Sequence, residues 1–182
     1  MNKKQLVLLL AKYDKNTYEH VCRTACYANE LGKILKLSIH EMNILLYASL
    51  LHDIGKILIP TSLLEKTEPL SDEEFNYIKR HVILGVQLLP DTLQEVKDII
   101  VAHHERLDGS GYPNHLKEKE IPKLAKILAI ADSYDAMTSN RMYNTIKTPN
   151  EAFNDLLSNT IYYGKNKYSY TYVKKFYHCI QK

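Results

Sequence analysis

Asp132 stands inside the run Ile127-Leu-Ala-Ile-Ala-Asp132-Ser-Tyr-Asp135-Ala-Met137, which is otherwise composed for a buried helix. A carboxylate left unpaired in such surroundings is destabilising by several kcal/mol or is forced neutral, so a fold that buries this helix must bring a cation or donors to it. The same conflict recurs at two further places. Ile44-Leu-Leu-Tyr-Ala-Ser-Leu-Leu51 runs straight into His52-Asp53, and Val96-Lys-Asp-Ile-Ile-Val-Ala102 into His103-His104. His81 flanks the apolar stripe of Phe75, Ile78, Val82 and Leu89, and His20 falls within another helix-length segment.

Elsewhere the pattern is that of a helical protein, with apolar residues returning every three to four positions. Ser38-Ile-His-Glu41 and Ser71-Asp-Glu-Glu74 read as capping boxes, and Thr148-Pro149-Asn150-Glu151 adds proline at the first helical position. Stops are expected at Gly32, near Gly55, at Pro90 and near Gly164. Helices are predicted over residues 3–13, 17–31, 39–52, 72–89, 92–104, 122–138, 149–160 and 165–180, with the longest irregular stretches at 54–70 and 105–121. Only Tyr168, Tyr170 and Tyr172 alternate as a strand would. The expectation is an all-α, single-domain bundle of seven or eight helices over the 182 residues.

A balance of 24 basic against 21 acidic residues gives +3, too little for a chain built to bind nucleic-acid polymers, and 45% hydrophobic content excludes disorder. The apolar run near the N-terminus is too short for a signal peptide and Ile44–Leu51 too short for a membrane span, so a cytoplasmic protein with no membrane partner is expected. Cys22, Cys26 and Cys179 are read as reduced thiols, the first two as core residues. The Lys and Tyr residues between Lys165 and Tyr177 read as a solvated terminal helix.

His20, His52, Asp53, His81, His103, His104 and Asp132 make up a set of neutral imidazoles and carboxylates suited to a first-row transition metal. Adjacent residues on a helix point about 100° apart, so the pairs His52-Asp53 and His103-His104 cannot both be ordinary core positions. Seven groups exceed one tetrahedral site and suit two six-coordinate ions, with Asp53 bridging them. His40, His115 and His178 are read as ordinary polar or core histidines.

These residues also carry a resemblance. His52-Asp-Ile-Gly-Lys56 with Ile57-Leu-Ile-Pro60 resembles the metal-binding signature of the HD phosphohydrolase superfamily. His103-His-Glu-Arg-Leu-Asp-Gly-Ser-Gly-Tyr-Pro113 is similar to the extended motif of the HD-GYP subfamily, bacterial cyclic di-GMP phosphodiesterases, and Ala131-Asp-Ser-Tyr-Asp-Ala-Met-Thr-Ser-Asn-Arg-Met-Tyr143 to its late aspartate segment. The likeness runs from Tyr18 to Tyr143, within a motif-bearing part of residues 16–145. It implies an all-helical fold, iron or manganese as the ions, and the same seven residues as ligands. It further implies Asp53 and Lys56 as catalytic residues, and Lys56 and Arg141 as binders of substrate phosphate.

Under that resemblance cyclic di-GMP is opened to linear pGpG, and onward to GMP, by a hydroxide held between the two ions. A cyclic-dinucleotide synthase of the GGDEF type or a separate regulatory protein is an implied partner in bacterial signalling. Asn16 stands where members with a third metal carry glutamate, so two ions are expected. Asn144 replaces a second basic residue, and the C-terminal Phe-Asp-Pro element is absent. A catalytically weak cyclic-dinucleotide sensor or scaffold, and a hydrolase for another cyclic dinucleotide such as cyclic GMP-AMP, stand as alternatives. The extended motif argues against enzymes acting on nucleoside triphosphates or alarmones.

Overall fold

The computed structural model describes residues 2–139 and 146–180. Arg141 and Asn144 therefore lie outside the described residues. Among those described, the secondary structure is helical, with ten α-helices and three short 3-10 turns. They are α1 (Lys3–Tyr13), α2 (Lys15–Ile34), α3 (Ile39–Leu51), α4 (Thr61–Leu64), α5 (Asp72–Lys79), α6 (His81–Leu88), α7 (Gln94–Ala102), α8 (Lys123–Thr138), α9 (Pro149–Ser158) and α10 (Tyr170–Ile180).

All eight expected segments carry helix, and the two additional helices have simple causes. The segment 72–89 divides at Arg80, which ends α5 and starts α6, and the single turn Thr61–Leu64 follows Pro60. Gly32 does not stop α2. The helix runs two residues past it, the chain turns at Lys36 with φ 54°, and Gly32 instead packs under Met42 of α3. The predicted helix 165–180 begins only at Tyr170, because Tyr168 forms an isolated bridge with Thr160.

The capping boxes at Ser38, Ser71 and Thr148 all form, each hydroxyl and carboxylate satisfying the other residue's backbone N–H. A fourth pairs Asn2 with Gln5 at the start of α1. Leu89 adopts an extended conformation ahead of Pro90, which ends α6.

The long helix α2 lies at the centre, packed by α1, α3, α8 and α10. Leu31, Leu45, Leu51, Ile100, Ile127, Leu128, Ile130 and Phe176 form the fully buried core between these helices and α7. At one end of the core, apolar contact gives way to a polar centre. There α8 packs against α2, α3 and α7, while α6 packs against α7 and the 3-10 turn Ile54–Leu58. Among the described residues no helix is long and apolar enough to cross a membrane.

Candidate metal centre

Three of the histidines stand where a helix has just ended. His52 follows α3, His103 follows α7, and His81 follows the break after α5. The last carbonyls of a helix lack an intrahelical partner. Here they orient imidazoles: Nδ1 of His52 lies 2.8 Å from the Ser49 carbonyl, that of His81 2.8 Å from Ile78, and that of His103 2.6 Å from Ile100. With Nδ1 donating to these carbonyls, Nε2 carries its lone pair to the opposite side of each ring. Those three Nε2 atoms are buried and have no hydrogen-bond partner.

His20 projects from the interior of α2 and Asp132 from α8. His20 Nε2 is 3.1 Å from Asp132 Oδ1 and 3.6 Å from Asp53 Oδ2. Asp53 occupies the middle: its Oδ2 is 3.5 Å from His52 Nε2, and its Oδ1 is 3.4 Å from His81 Nε2. His104 turns its Nδ1 inward, 3.9 Å from Asp132 Oδ2. Ring centroids of His81 and His104 are 5.3 Å apart, and those of His52 and His103 5.0 Å. All seven side chains thus face one centre.

Ligand-type atoms within 4.8 Å of one another fall into three overlapping groups: His20, His52 and Asp132; His81, His103 and His104; and His52, Asp53 and His103 between them. The cluster could hold metal, and the protonation of five of its seven groups suits that use; burial would lower His20, but Asp132 and Asp135 outweigh it and raise that imidazole above its ordinary value. Burial holds His81 below the ordinary imidazole value, drops His103 to about 3 and holds His104 well below normal, so these rings are neutral. Burial would raise Asp53, but Lys56 and His52 outweigh it and keep the carboxylate ionised. For Asp132 burial is likewise outweighed, by His20 and His52. Neutral imidazoles and ionised carboxylates are the forms that bind metal.

Lys56 reaches the centre from the 3-10 turn Ile54–Leu58, where its Nζ donates to Asp53 Oδ2 at 2.6 Å. The turn lies where it does because Gly55 and Gly85 touch backbone to backbone. A Cβ on Gly55 would sit 2.0 Å from the His81 carbonyl oxygen and 2.5 Å from the Gly85 nitrogen. On the other side, the loop after α7 folds Tyr112 over His104, with ring centroids 4.6 Å apart. Gly111 lets this loop pass against the backbone of His104, Glu105 and Arg106.

A cavity of about 420 Å³ opens beside His104, bounded by Arg106, Tyr112, Ser133, Asp155, Asn159 and Tyr168 among others. The Arg106 guanidinium lies 5.0 Å over the Tyr168 ring, whose hydroxyl is 2.8 Å from Ser133 Oγ. A hollow of about 510 Å³ at Lys3 and Pro90 shares no lining residue with the centre.

The HD domain family model matches residues 4–166 of this chain. The chain belongs to the HD-domain family. This HD domain is 39% identical over 159 residues to a cyclic di-GMP phosphodiesterase of Thermotoga maritima, a match covering 85% of this chain and 43% of that protein. It is 37% identical over 163 residues to 3′3′-cGAMP-specific phosphodiesterase 2 of Vibrio cholerae, covering 85% of this chain and 31% of the relative. The chain thus spans less than half the length of these relatives. Among solved structures, the Bdellovibrio bacteriovorus protein Bd1817 aligns with TM-score 0.73 at 23% identity, over 90% of this chain and 52% of that one. The HD domain of Listeria monocytogenes PgpH in complex with cyclic-di-AMP aligns with TM-score 0.70 at 18% identity, over 96% and 92%. These two likenesses establish the HD fold.

Three residues around the centre were not singled out as site residues from the sequence. Asp135, fully buried one turn after Asp132, bonds His20 and Arg23. Glu105, also buried, accepts from the amides of Asn114 and Leu116. Arg23 was legible only as a basic residue one turn after His20. The spacing of Asp135 from Asp132 and of Arg23 from His20 was the available signal.

Proposed function

We propose that this HD domain is a metal-dependent phosphodiesterase that opens cyclic di-GMP to linear pGpG and cleaves that product slowly onward to GMP. The observation that carries the proposal is the trio of buried, partnerless Nε2 atoms on His52, His81 and His103, aimed at two ionised carboxylates. Buried polar atoms are almost always satisfied, and lone pairs converging from three helix ends suit a cation better than any donor the chain supplies.

In this reading His20, His52 and Asp132 would hold one ion and His81, His103 and His104 a second, with Asp53 available to both. Imidazole with carboxylate suits iron or manganese. When bound, such a pair supplies an activated water and neutralises charge on the phosphate oxygens. The chain's residues supply the rest. Lys56 steadies Asp53 and sets a positive charge where the scissile phosphate or leaving 3′ oxygen would lie. Arg141 would clamp phosphate through its planar fork. Tyr112 shields His104 from water, and burial raises its phenol pKa, so it stays protonated. The cavity beside His104 receives a nucleoside, with the Arg106–Tyr168 pair as a flat wall for a base.

Relatives named for cyclic di-GMP and for 3′3′-cGAMP both match this chain. The deciding experiment incubates anaerobically purified, iron- or manganese-loaded protein with cyclic di-GMP, 3′3′-cGAMP and cyclic di-AMP, and separates the products by chromatography. Conversion of cyclic di-GMP to pGpG supports the proposal, and preferential cleavage of another dinucleotide corrects the substrate. Metal-loaded protein that binds cyclic di-GMP without cleaving it contradicts the enzyme reading and favours a sensor.

A further inference from the structure

His20 is oriented differently from the other inward-facing imidazoles, and the reason lies in where it sits on its helix. His52, His81 and His103 use carbonyls of a last helical turn, where intrahelical partners run out. His20 is the sixth of the 20 residues of α2, where carbonyls one turn back are engaged in the helix ladder. Its Nδ1 instead meets Asp135 Oδ2 at 2.6 Å, across to α8. Asp135 is 0% exposed. Arg23 of α2 grips the same carboxylate from the outside, with Nε 2.7 Å from Oδ1 and one terminal nitrogen 3.1 Å from Oδ2. Ser139 Oγ donates to Oδ1 at 3.0 Å, and the Thr24 hydroxyl lies 3.5 Å from His20 Nδ1.

We infer that Asp135, held by Arg23, is a positioning residue for the His20 half of the centre. It fixes the tautomer that sends the Nε2 lone pair inward and gives Nδ1 of that ring an anionic acceptor, where Nδ1 of the carbonyl-oriented rings has a neutral one. A carboxylate accepting from a ligand imidazole fixes its orientation and raises its basicity, and losing such an outer partner typically weakens metal binding about 10–100-fold. The two half-sites are therefore unequal by construction. The ion that His20, His52 and Asp132 would hold depends on a charged contact between α2 and α8, whereas the hydrogen bonds of the Asp135 carboxylate go to His20, Arg23 and Ser139 and not to His81, His103 or His104.

The inference rests on the two-ion reading above and is tested by binding rather than turnover. Metal-free protein is titrated anaerobically with Mn²⁺ and followed by calorimetry, for the wild type, Asp135→Asn and Arg23→Gln. Asp135→Asn keeps an acceptor in place but removes the charge. The expected result is two tight ions in the wild type, one of them weakened at least about 10-fold in Asp135→Asn. Arg23→Gln should weaken that same ion less, because the carboxylate remains, held by Ser139 but without its guanidinium clamp.

Two bound ions with unchanged affinities in Asp135→Asn would overturn the inference while leaving the two-ion reading standing. Equal weakening of both ions, with a matching fall in the melting temperature of the metal-free protein, would also overturn it, because Asp135 would then be a structural tie between helices. A wild type that binds no ion tightly would overturn the proposed function and this inference together.

Discussion

Residues 53–60 reach the centre because backbone touches backbone, whereas residues 105–116 reach it because one buried carboxylate gathers two amides. In the first region the Gly55–Gly85 contact leaves no room for a side chain, and the turn that carries Asp53 and Lys56 is pinned against α6 just where His81 begins. In the second, Glu105 accepts from Asn114 at 2.7 Å and from Leu116 at 3.0 Å, closing a loop whose cis peptide precedes Pro113. The first region delivers charged groups to the inward-facing cluster, and the second delivers a cover. Steric contact gives a position with no spare adjustment, as the proposed role of Asp53 between two ions would need. A hydrogen-bonded clasp fixes a loop but lets its outer residues vary.

The contrast predicts a graded set of effects. The largest falls on what the first region delivers: Asp53→Ala should abolish binding of both ions and all hydrolysis, exceeding the roughly 10–100-fold loss typical of an outer-shell change. Elemental analysis of the purified variant reads this directly, and a protein that still holds two ions would show that Asp53 does not span the half-sites.

Next comes the contact itself. Gly55→Ala pushes a methyl into the His81 carbonyl and should destabilise by about 1–3 kcal/mol, the range for overpacking, while lowering metal content. Gly164→Ala is the matched control. Its φ of 77° is strained for alanine, but nothing lies within 4 Å of the added methyl, so about 1 kcal/mol is expected with metal content unchanged. Equal metal loss in the two variants would remove the steric argument.

A milder outcome is expected for the clasp. In Glu105→Gln one of the two amides loses its acceptor, a change of about 1–3 kcal/mol. Amide hydrogen exchange at Asn114 and Leu116 should accelerate while both ions stay bound. Loss of metal along with loop protection would mean that the second region positions ligands too.

The smallest effect lies outside both regions, at the start of α3. The backbone and hydroxyl of Ser38, together with Lys123, hold Glu41 down to about 2. A carboxylate whose folded pKa is depressed stabilises above its unfolded value, and that stability is lost as pH falls through the folded value. The cap should therefore weaken between about pH 4.5 and 2. Glu41→Gln should flatten that part of the acid-melting curve and leave metal binding at neutral pH intact.

The sequence made the helices legible because their signals are local. Ser38 with Glu41, Ser71 with Glu74 and Thr148 with Glu151 each cap within four residues, and each forms. The break at Arg80 was hidden because Phe75 to Leu89 keeps a helical period across it, while His81 turns into the centre. Asp132 and the pairs His52-Asp53 and His103-His104 were legible because they interrupt or end apolar runs, His81 because it flanks an apolar stripe, and His20 through the family resemblance. Their supports were not. Asp135 reads as one more polar residue on α8 until α2 is laid beside it, and Gly55 reads as a stop until α6 lies against it. These meanings depend on contacts between segments far apart in sequence.

The most direct test of the central claim is anomalous X-ray diffraction from crystals of the iron- or manganese-loaded protein, collected on either side of the metal's absorption edge. Two peaks about 3.5–4 Å apart are predicted, one among His20, His52 and Asp132, the other among His81, His103 and His104, with Asp53 between them. A single peak, a peak outside these residues, or none at full loading would contradict the account.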